Sequence, residues 1–245
     1  MTARLRSIRD QMENNIPRES FTSIIVPLFN EEDCILPFYH LLKESMDGLG
    51  EKYEIIFIND GSTDSSLERM KVLSKDDSNI RIIHFEHNLG QGKAIEEGFR
   101  EAKGEVVVTI DGDLQNDPAD IPRLLAQIHA GFDLVCGWRV KRGDTFFKKM
   151  KSKIGNFLQR IMTHLPLHDI SCTLRAYRRQ VVSDLHFNGP FDFSLLPFII
   201  TKKNKVKITE VKVKDNYRKF GKTKYKTLPT IVGTVRDYIR LVFSR

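Results

Sequence analysis

Through the first half of the chain, short apolar, β-branched runs alternate with longer segments of mixed polarity. Residues 21–29, 53–59, 80–86, 105–110 and 133–138 read as strands, and about 31–49, 64–75, 91–103 and 118–130 read as helices between them. A βαβα alternation of this kind implies an α/β fold with a mainly parallel central sheet, covered on both faces. Ligands bind such sheets at the carboxyl ends of the strands. The polar clusters PLFNEE, NDGSTD, EHNLGQG and DGDLQND all fall where predicted strands end, so four separate segments converge on one crevice.

After residue 138 the pattern changes. Residues 145–164, TFFKKMKSKIGNFLQRIMTH, place Phe147, Met150, Ile154, Phe157 and Ile161 at spacings of three and four, on one face of a predicted helix, with lysines around the remainder. Large apolar side chains beside lysines suit a helix lying on a membrane surface, where each basic residue adds about 1 kcal/mol of attraction to anionic lipid; the same pattern suits an ordinary surface helix packing that face on the sheet. A short apolar segment follows at 174–177, then a helix at about 193–203. Residues 205–214, KVKITEVKVK, read as a strand with Val206, Ile208, Val211 and Val213 largely inward and a bulge at Thr209-Glu210. A last helix is predicted at about 227–243. The expected organisation is an N-terminal helical arm over 1–20, one catalytic domain over 21–230 and a C-terminal amphipathic helix over 231–245.

Composition narrows the class. With 40% hydrophobic and 29% charged side chains, 245 residues bury a sizeable core. Cys34, Cys136 and Cys172 lie far apart with no Cys-x-x-Cys pair, which argues against a disulfide framework or a zinc cluster and fits a reducing cytoplasm. The first twenty residues are charged throughout, without the apolar core of a signal peptide. No run reaches the roughly 18 consecutive apolar residues of a spanning helix, so the chain is not expected to cross a membrane. The net charge of +7 conceals a division: residues 1–137 hold 14 Lys+Arg against 25 Asp+Glu, residues 138–165 hold 8 against 1, and residues 201–245 hold 14 against 3. An acidic half and a basic half are set to different tasks.

Two carboxylates at the exposed end of a buried strand cost desolvation energy unless a cation neutralises them, and Asp111-Gly112-Asp113 after EVVVTI is such a place. Mg²⁺ or Mn²⁺ takes oxygen from one or two carboxylates and completes its shell with substrate phosphate and water; Gln115 could add an amide oxygen. The same residues would also suit a turn capping the helix at Pro118. In NDGSTD, Gly61 and Ser62 fit a tight turn, Asp64 or Ser62 a helix cap, and Asp60 could accept from the ring N–H of a nucleobase. Asn88-x-Gly90-x-Gly92 with Lys93 resembles a phosphate-cradling loop. Gly98 falls too late for a dinucleotide fingerprint and PLFNEE holds no glycine, so a nicotinamide cofactor is not expected.

In their order, IIVPLFNEE, NDGSTD, NLGQGKA, DGDLQNDP and GWR resemble the family 2 glycosyltransferases of the A-type fold, which is Rossmann-like. DGDLQ, DISCTLRAYRR and YRKFGKTKY are most similar to the dolichyl-phosphate mannose synthase-like branch. The resemblance covers residues 21–230. It implies inverting, metal-dependent transfer of a hexose-type sugar from a GDP- or UDP-sugar donor to a polyprenyl phosphate acceptor, by a peripheral enzyme on the cytoplasmic face of an anionic membrane. Carried onto this chain, Pro27, Asn30, Glu31, Asp60, Lys93, Asp111 and Gly112 would bind the nucleotide. Asp111, Asp113 and Gln115 would surround Mg²⁺ or Mn²⁺. Arg218 and Lys224, in a loop closing over the diphosphate, would join Asp113 as catalytic residues, and Arg139, Lys148, Ser152 and Arg175 would face the acceptor phosphate. Lys148 stands where an arginine is expected, Thr173 where glycine is frequent, and the carboxyl-terminal spanning helices of many relatives are missing.

A polyprenyl phosphate, with a second pKa of about 6, is largely dianionic at neutral pH and attacks the anomeric carbon without a protein base. A sugar-hydroxyl acceptor would need a carboxylate near the metal, or Asp169, as general base. A nucleotidyltransferase should carry a Gly-rich, basic loop after its first strand, where this chain has PLFNEE. A nucleic-acid-binding module should interleave exposed aromatics with its basic residues, so no nucleic-acid partner is expected. An inert scaffolding relative would not need Asp111, Asp113, Arg218 and Lys224 intact.

Overall fold

The computed structural model describes residues 20–140, 165, 167–187, 193, 196–203, 206–216, 233 and 236. The apolar runs of the first half become five strands of a seven-stranded sheet. β1 (Phe21–Leu28) and β2 (Lys52–Asp60) are buried along nearly their whole length. β3 (Ile80–Phe85), β4 (Val106–Thr109), β5 (Leu134–Arg139), β6 (Arg175–Arg178) and β7 (Ile208–Val213) complete the order β3-β2-β1-β4-β6-β5-β7. Every pairing is parallel except the two made by β6.

Helices α1 (Glu32–Asp47), α2 (Ser66–Asp76), α3 (Gln91–Glu101), α4 (Ile121–His129) and α5 (Leu196–Lys203) divide between the two faces. On one face Ile24, Val26 and Phe57 meet Phe38, Leu42 and Met46 of α1 and Leu124 and Ile128 of α4. On the other, Ile25, Ile56 and Ile58 meet Ala94, Ile95 and Phe99 of α3, with Tyr177, Phe187 and Leu196 continuing that core. Adjacent residues of one strand thus enter opposite cores, each fully buried apolar side chain contributing about 1.5–3 kcal/mol. A sheet hidden on both faces reads as a continuous apolar run, which is the pattern of the first half.

Pro27 sits in a central strand without costing a ladder bond. β4 pairs with β1 only from Thr22↔Val106 to Ile25↔Thr109, so position 27 has no neighbour strand on that side to receive an N–H.

Two sequence expectations are corrected by the sheet. The segment at 174–177 is an antiparallel strand inserted between β4 and β5, which local pattern did not announce. β7 carries no bulge: it pairs one-to-one with β5 from Leu134↔Ile208 to Arg139↔Val213. Ile208 packs against one core while Val211 and Val213 pack against the other, so the break in alternation at Thr209-Glu210 reflects two covered faces. The predicted arm over 1–20 (but for Ser20), the amphipathic helix over 145–164 and, apart from residues 233 and 236, the C-terminal helix lie outside the described residues. Among the described residues no helix is long and apolar enough to cross a membrane.

At the amino edge of the sheet, Glu54 ties three elements together. It accepts from Ser23 Oγ at 2.7 Å, the Lys103 amide at 2.9 Å and Arg81 Nη1 at 3.0 Å. Burial alone would raise its pKa, but these donors outweigh burial and hold the carboxyl below its ordinary value of 4.5. A carboxyl whose pKa is lowered by folding stabilises the protein above its unfolded pKa and loses that contribution as pH falls. Glu54→Gln should therefore lower stability at neutral pH and flatten its decline between about pH 5 and pH 3, read from urea-unfolding midpoints across that range.

Candidate active site

Six strands end at one edge, and at β1 the strand order reverses, with β2 on one side and β4 on the other. The crevice outside these carboxyl ends is where an open α/β sheet receives a ligand. Because β6 runs against its neighbours, the turn that precedes it, residues 168–174, also opens on this edge. The chain leaving β7 does the same: the Asn216 amide donates to Gln115 O at 2.8 Å, and Lys214 Nζ pairs with Asp117 at 2.7 Å.

On one side of the crevice, the loop after β1 is stitched to the loop after β2. Asn30, at φ 51°, donates its amide to Ser62 Oγ at 2.9 Å and accepts from the Thr63 amide at 2.7 Å. The Glu31 amide donates to Ser66 Oγ and the Glu32 amide to Asp64, which also accepts from the Ser66 amide. Asp64 thus serves the start of α2 as the sequence indicated, whereas Ser62 is turned to Asn30. Glu31 is buried, with Cys34 Sγ donating to its carboxylate.

Asp60 is 3% exposed and takes the loop after β3: the Leu89 amide at 2.7 Å, the Gly90 amide at 3.0 Å and Asn88 Nδ2 at 3.1 Å. Burial pushes its pKa up, and the two amides pull it part of the way back. Beside it Gly61, at φ 69°, lies so close to that loop that a Cβ would stand 2.4 Å from Asn88 N. The base-recognising carboxylate expected from sequence is therefore also the anchor of the glycine loop. Lys93, on the first turn of α3, pairs with Glu96 at 2.8 Å, a carboxylate that also accepts from the Phe187 amide.

The turn after β4 carries the paired carboxylates. Capping of the short helix at Pro118 falls to Asp117, which accepts from the Ala119 amide at 3.0 Å, so the capping alternative does not account for Asp111 and Asp113. Leu114 adopts φ 64°, a conformation costly for a branched side chain and frequent where function fixes the backbone. Asp113, 8% exposed, accepts from the Gln115 amide at 3.0 Å. Asp111 accepts from Gln91 Nε2 at 2.6 Å and Thr173 Oγ1 at 2.7 Å. Gly112 leaves no room for a Cβ, which would fall 2.4 Å from Leu28 Cδ2; its missing side chain serves the packing of this turn on β1. The donor set is oxygen only and suits a hard divalent ion. Among the described residues no three His, Cys, Asp or Glu converge, so substrate oxygens and water would complete a shell begun by the two carboxylates and Gln115. Burial pushes the thiols of Cys136 and Cys172 up to about 12 and about 11, which removes thiolate ligation.

On the far side of the crevice, Arg139 Nε and Nη2 grip the Asp169 carboxylate at 2.7 and 3.1 Å, and Nη2 also donates to Ser171 Oγ at 3.0 Å. Glu210 of β7 in turn accepts from the amides of His168 and Asp169. Arg175 requires a correction. Expected at the acceptor phosphate, it is 1% exposed, donates to Phe193 O at 3.0 Å and Ile170 O at 2.6 Å, and lies 4.8 Å from the centre of the Phe193 ring. Its position on a strand covered on both faces turns the side chain into the core. Lys148, Ser152, Arg218 and Lys224 lie outside the described residues. The roles of Gln91, Asn116, Thr173 and Glu210 were missed by the sequence reading, although the first three stand in the motifs NLGQGKA, DGDLQNDP and DISCTLRAYRR; those of Glu210 and Thr173 depend on partners 41 and 62 residues away.

The family model described as Glycosyl transferase family 2 matches residues 23–185. The undecaprenyl-phosphate 4-deoxy-4-formamido-L-arabinose transferases of Salmonella paratyphi B and Salmonella newport are each 37% identical over 207 residues. That alignment takes in 83% of this chain and 62% of the relative, so the chain spans under two thirds of the length of these curated relatives. Glucosyl-3-phosphoglycerate synthase from Mycobacterium tuberculosis has the same fold. Its complex with phosphoglyceric acid superposes with a TM-score of 0.72 at 18% identity, covering 97% of this chain and 83% of that one. Its complex with Mn²⁺, uridine diphosphate and glucosyl-3-phosphoglycerate gives 0.70 at 18%, covering 97% and 82%.

The Asp60 anchor is testable without any ligand. The Leu89 and Gly90 N–H groups donate to different carboxylate oxygens, so in Asp60→Asn one of them would face an amide nitrogen, a second donor, and the other would keep only an uncharged acceptor. A hydrogen bond to a charged acceptor is worth about 1.5–3 kcal/mol, so Asp60→Asn should speed hydrogen exchange at the Leu89 and Gly90 amides by roughly 10- to 100-fold. Unchanged exchange at both would show that the loop does not depend on Asp60.

Proposed function

The chain belongs to glycosyl transferase family 2, and from that premise we propose that it moves a sugar from a nucleotide-sugar to a polyprenyl phosphate, with inversion at the anomeric carbon. The observation that carries this reading is the Arg139–Asp169 pair at the carboxyl end of β5, on the same edge of the sheet as the carboxylate turn. Asp169 is 2% exposed and held by both Arg139 nitrogens, an arrangement that suits orienting a cation toward an anionic acceptor and suits poorly a general base for a sugar hydroxyl. Undecaprenyl phosphate, for which the relatives are named, has that chemistry.

In the reaction, an acceptor phosphate oxygen forms the new bond to the anomeric carbon as the bond to the nucleoside diphosphate breaks and its electron pair leaves on the diphosphate oxygen. Mg²⁺ or Mn²⁺, held by Asp111, Asp113 and Gln115, would supply charge neutralisation at the leaving diphosphate; the Mn²⁺ and uridine diphosphate bound by the mycobacterial synthase support that assignment. Asn30, Glu31 and Asp60 hold the walls of the nucleotide site. The contact of Asn216 with Gln115 supports a diphosphate role for Arg218, two residues further on, and for Lys224. Arg139, with Lys148 and Ser152, would receive the acceptor phosphate. The basic, amphipathic composition of residues 145–164 supports peripheral attachment to the cytoplasmic face of an anionic membrane.

Incubation of the purified protein with Mn²⁺, a panel of nucleotide-sugars and a short polyprenyl phosphate should yield a lipid-linked sugar. Asp113→Asn should lower turnover by about 100-fold or more, and excess chelator should abolish it. Full activity in chelator would overturn the metal assignment, and transfer to sugar hydroxyls with no lipid product would overturn the acceptor.

A further inference from the structure

Asp111 is approached by two side chains that belong neither to β4 nor to the turn after it. Gln91 Nε2, at the first residue of α3, reaches one carboxylate oxygen at 2.6 Å, and Thr173 Oγ1, in the turn before β6, reaches the other at 2.7 Å. The direction of the Thr173 bond is fixed by its surroundings. Its oxygen lies 3.1 Å from Asn116 Nδ2, a group that only donates, so the hydroxyl accepts there and directs its own hydrogen at Asp111. Thr173 is itself pinned, because Thr109 Oγ1, at the end of β4, donates to the Thr173 carbonyl at 2.7 Å.

A carboxylate gripped at both oxygens by two separate elements cannot turn about its last torsion without breaking one of the two bonds. Both donors are neutral, so they orient the charge without cancelling what a cation needs. A lysine in either place would supply the same geometry and compete with the ion. Hydrogen bonds to a metal-ligating group fix its orientation and typically alter metal affinity by about 10- to 100-fold.

We propose that Thr173 is a positioning residue for a divalent-metal site: its hydroxyl, opposite the Gln91 amide, holds Asp111 in the orientation that receives the ion and thereby sets the ion's affinity. The inference rests on the metal reading above and adds a residue to it from a segment outside the paired-carboxylate motif. Thr173→Val keeps the shape and removes the hydroxyl; Thr173→Ser keeps the hydroxyl and removes the methyl group.

Mn²⁺ alone serves as the probe, with free ion followed by electron paramagnetic resonance for the wild-type protein, Asp113→Asn, Thr173→Val and Thr173→Ser, and thermal melting recorded for each. The expected result is a dissociation constant weakened about 10- to 100-fold in Thr173→Val, restored to near the wild-type value in Thr173→Ser, at little-changed melting temperatures. Should Thr173→Val fail to fold, Thr173→Ala carries the same expectation. Wild-type affinity in the hydroxyl-free variant, or equal weakening in Thr173→Ser, would overturn the positioning role and leave the metal site standing. No Mn²⁺ binding by the wild type, or undiminished binding by Asp113→Asn, would overturn the metal site and the inference with it.

Discussion

A carboxylate brought to the edge of a sheet buried on both faces must be met by donors, since an uncompensated buried charge costs several kcal/mol. That requirement shapes the crevice. Asp60 takes its donors from residues 88–90, Asp111 from Gln91 and Thr173, and Asp169 from Arg139 and Ser171. In each case at least one donor comes from a different segment of the chain. Satisfying the charges therefore cross-links the loops, and the site is held together by the groups available for chemistry.

The order of these links along the crevice matters for function. From the loop after β1 they pass through Ser62 and Asp60 to the glycine loop, through Gln91 to Asp111, and through Thr173 and Asn116 to the segment that leaves β7. The two sides of the crevice, proposed for donor and acceptor, are thus parts of one hydrogen-bonded belt. Transition-state stabilisation by fixed dipoles and charges depends on their not having to reorganise, and a belt anchored on strand ends provides that rigidity. Leu114, at φ 64° in the middle of it, fits the same account: strain at one residue persists because its neighbours hold it there.

How much of this was legible in the sequence follows from the range of each interaction. The strands of the first half and their convergence on one edge could be read because apolar runs and the polar clusters after them are local patterns. Asp60, Asp111 and Asp113 could be singled out because a carboxylate at the end of a buried strand is anomalous wherever the rest of the chain lies. The direction of Arg175 could not be read. On a strand covered on both faces alternation carries no information about which side is wet, and the guanidinium found its carbonyls in the core. The bulge expected in β7 failed for the same reason, and β6 could not be told as antiparallel because its orientation is set by partners on both sides. Thr173 is the extreme case, since its hydroxyl acquires a role only through a carboxylate 62 residues away.

The division of charge gives the arrangement its electrostatic logic. The half of the chain that builds the donor side, residues 1–137, holds 25 acidic side chains against 14 basic ones, and its loops bring Asp60, Asp111 and Asp113 to the crevice. A nucleoside diphosphate approaching that wall meets charge of its own sign, a repulsion that hydrogen bonds to its base and ribose would only partly offset. A divalent ion held by Asp111 and Asp113 would reverse the sign of that contact. The basic remainder, with 14 Lys+Arg against 3 acidic residues over 201–245, carries the opposite charge. Asn216, within that span, donates its amide to Gln115 O in the carboxylate turn at 2.8 Å, so the chain leaving β7 touches the place proposed for the diphosphate. The acidic half on its own would repel an anion there, and a divalent ion would offset that repulsion.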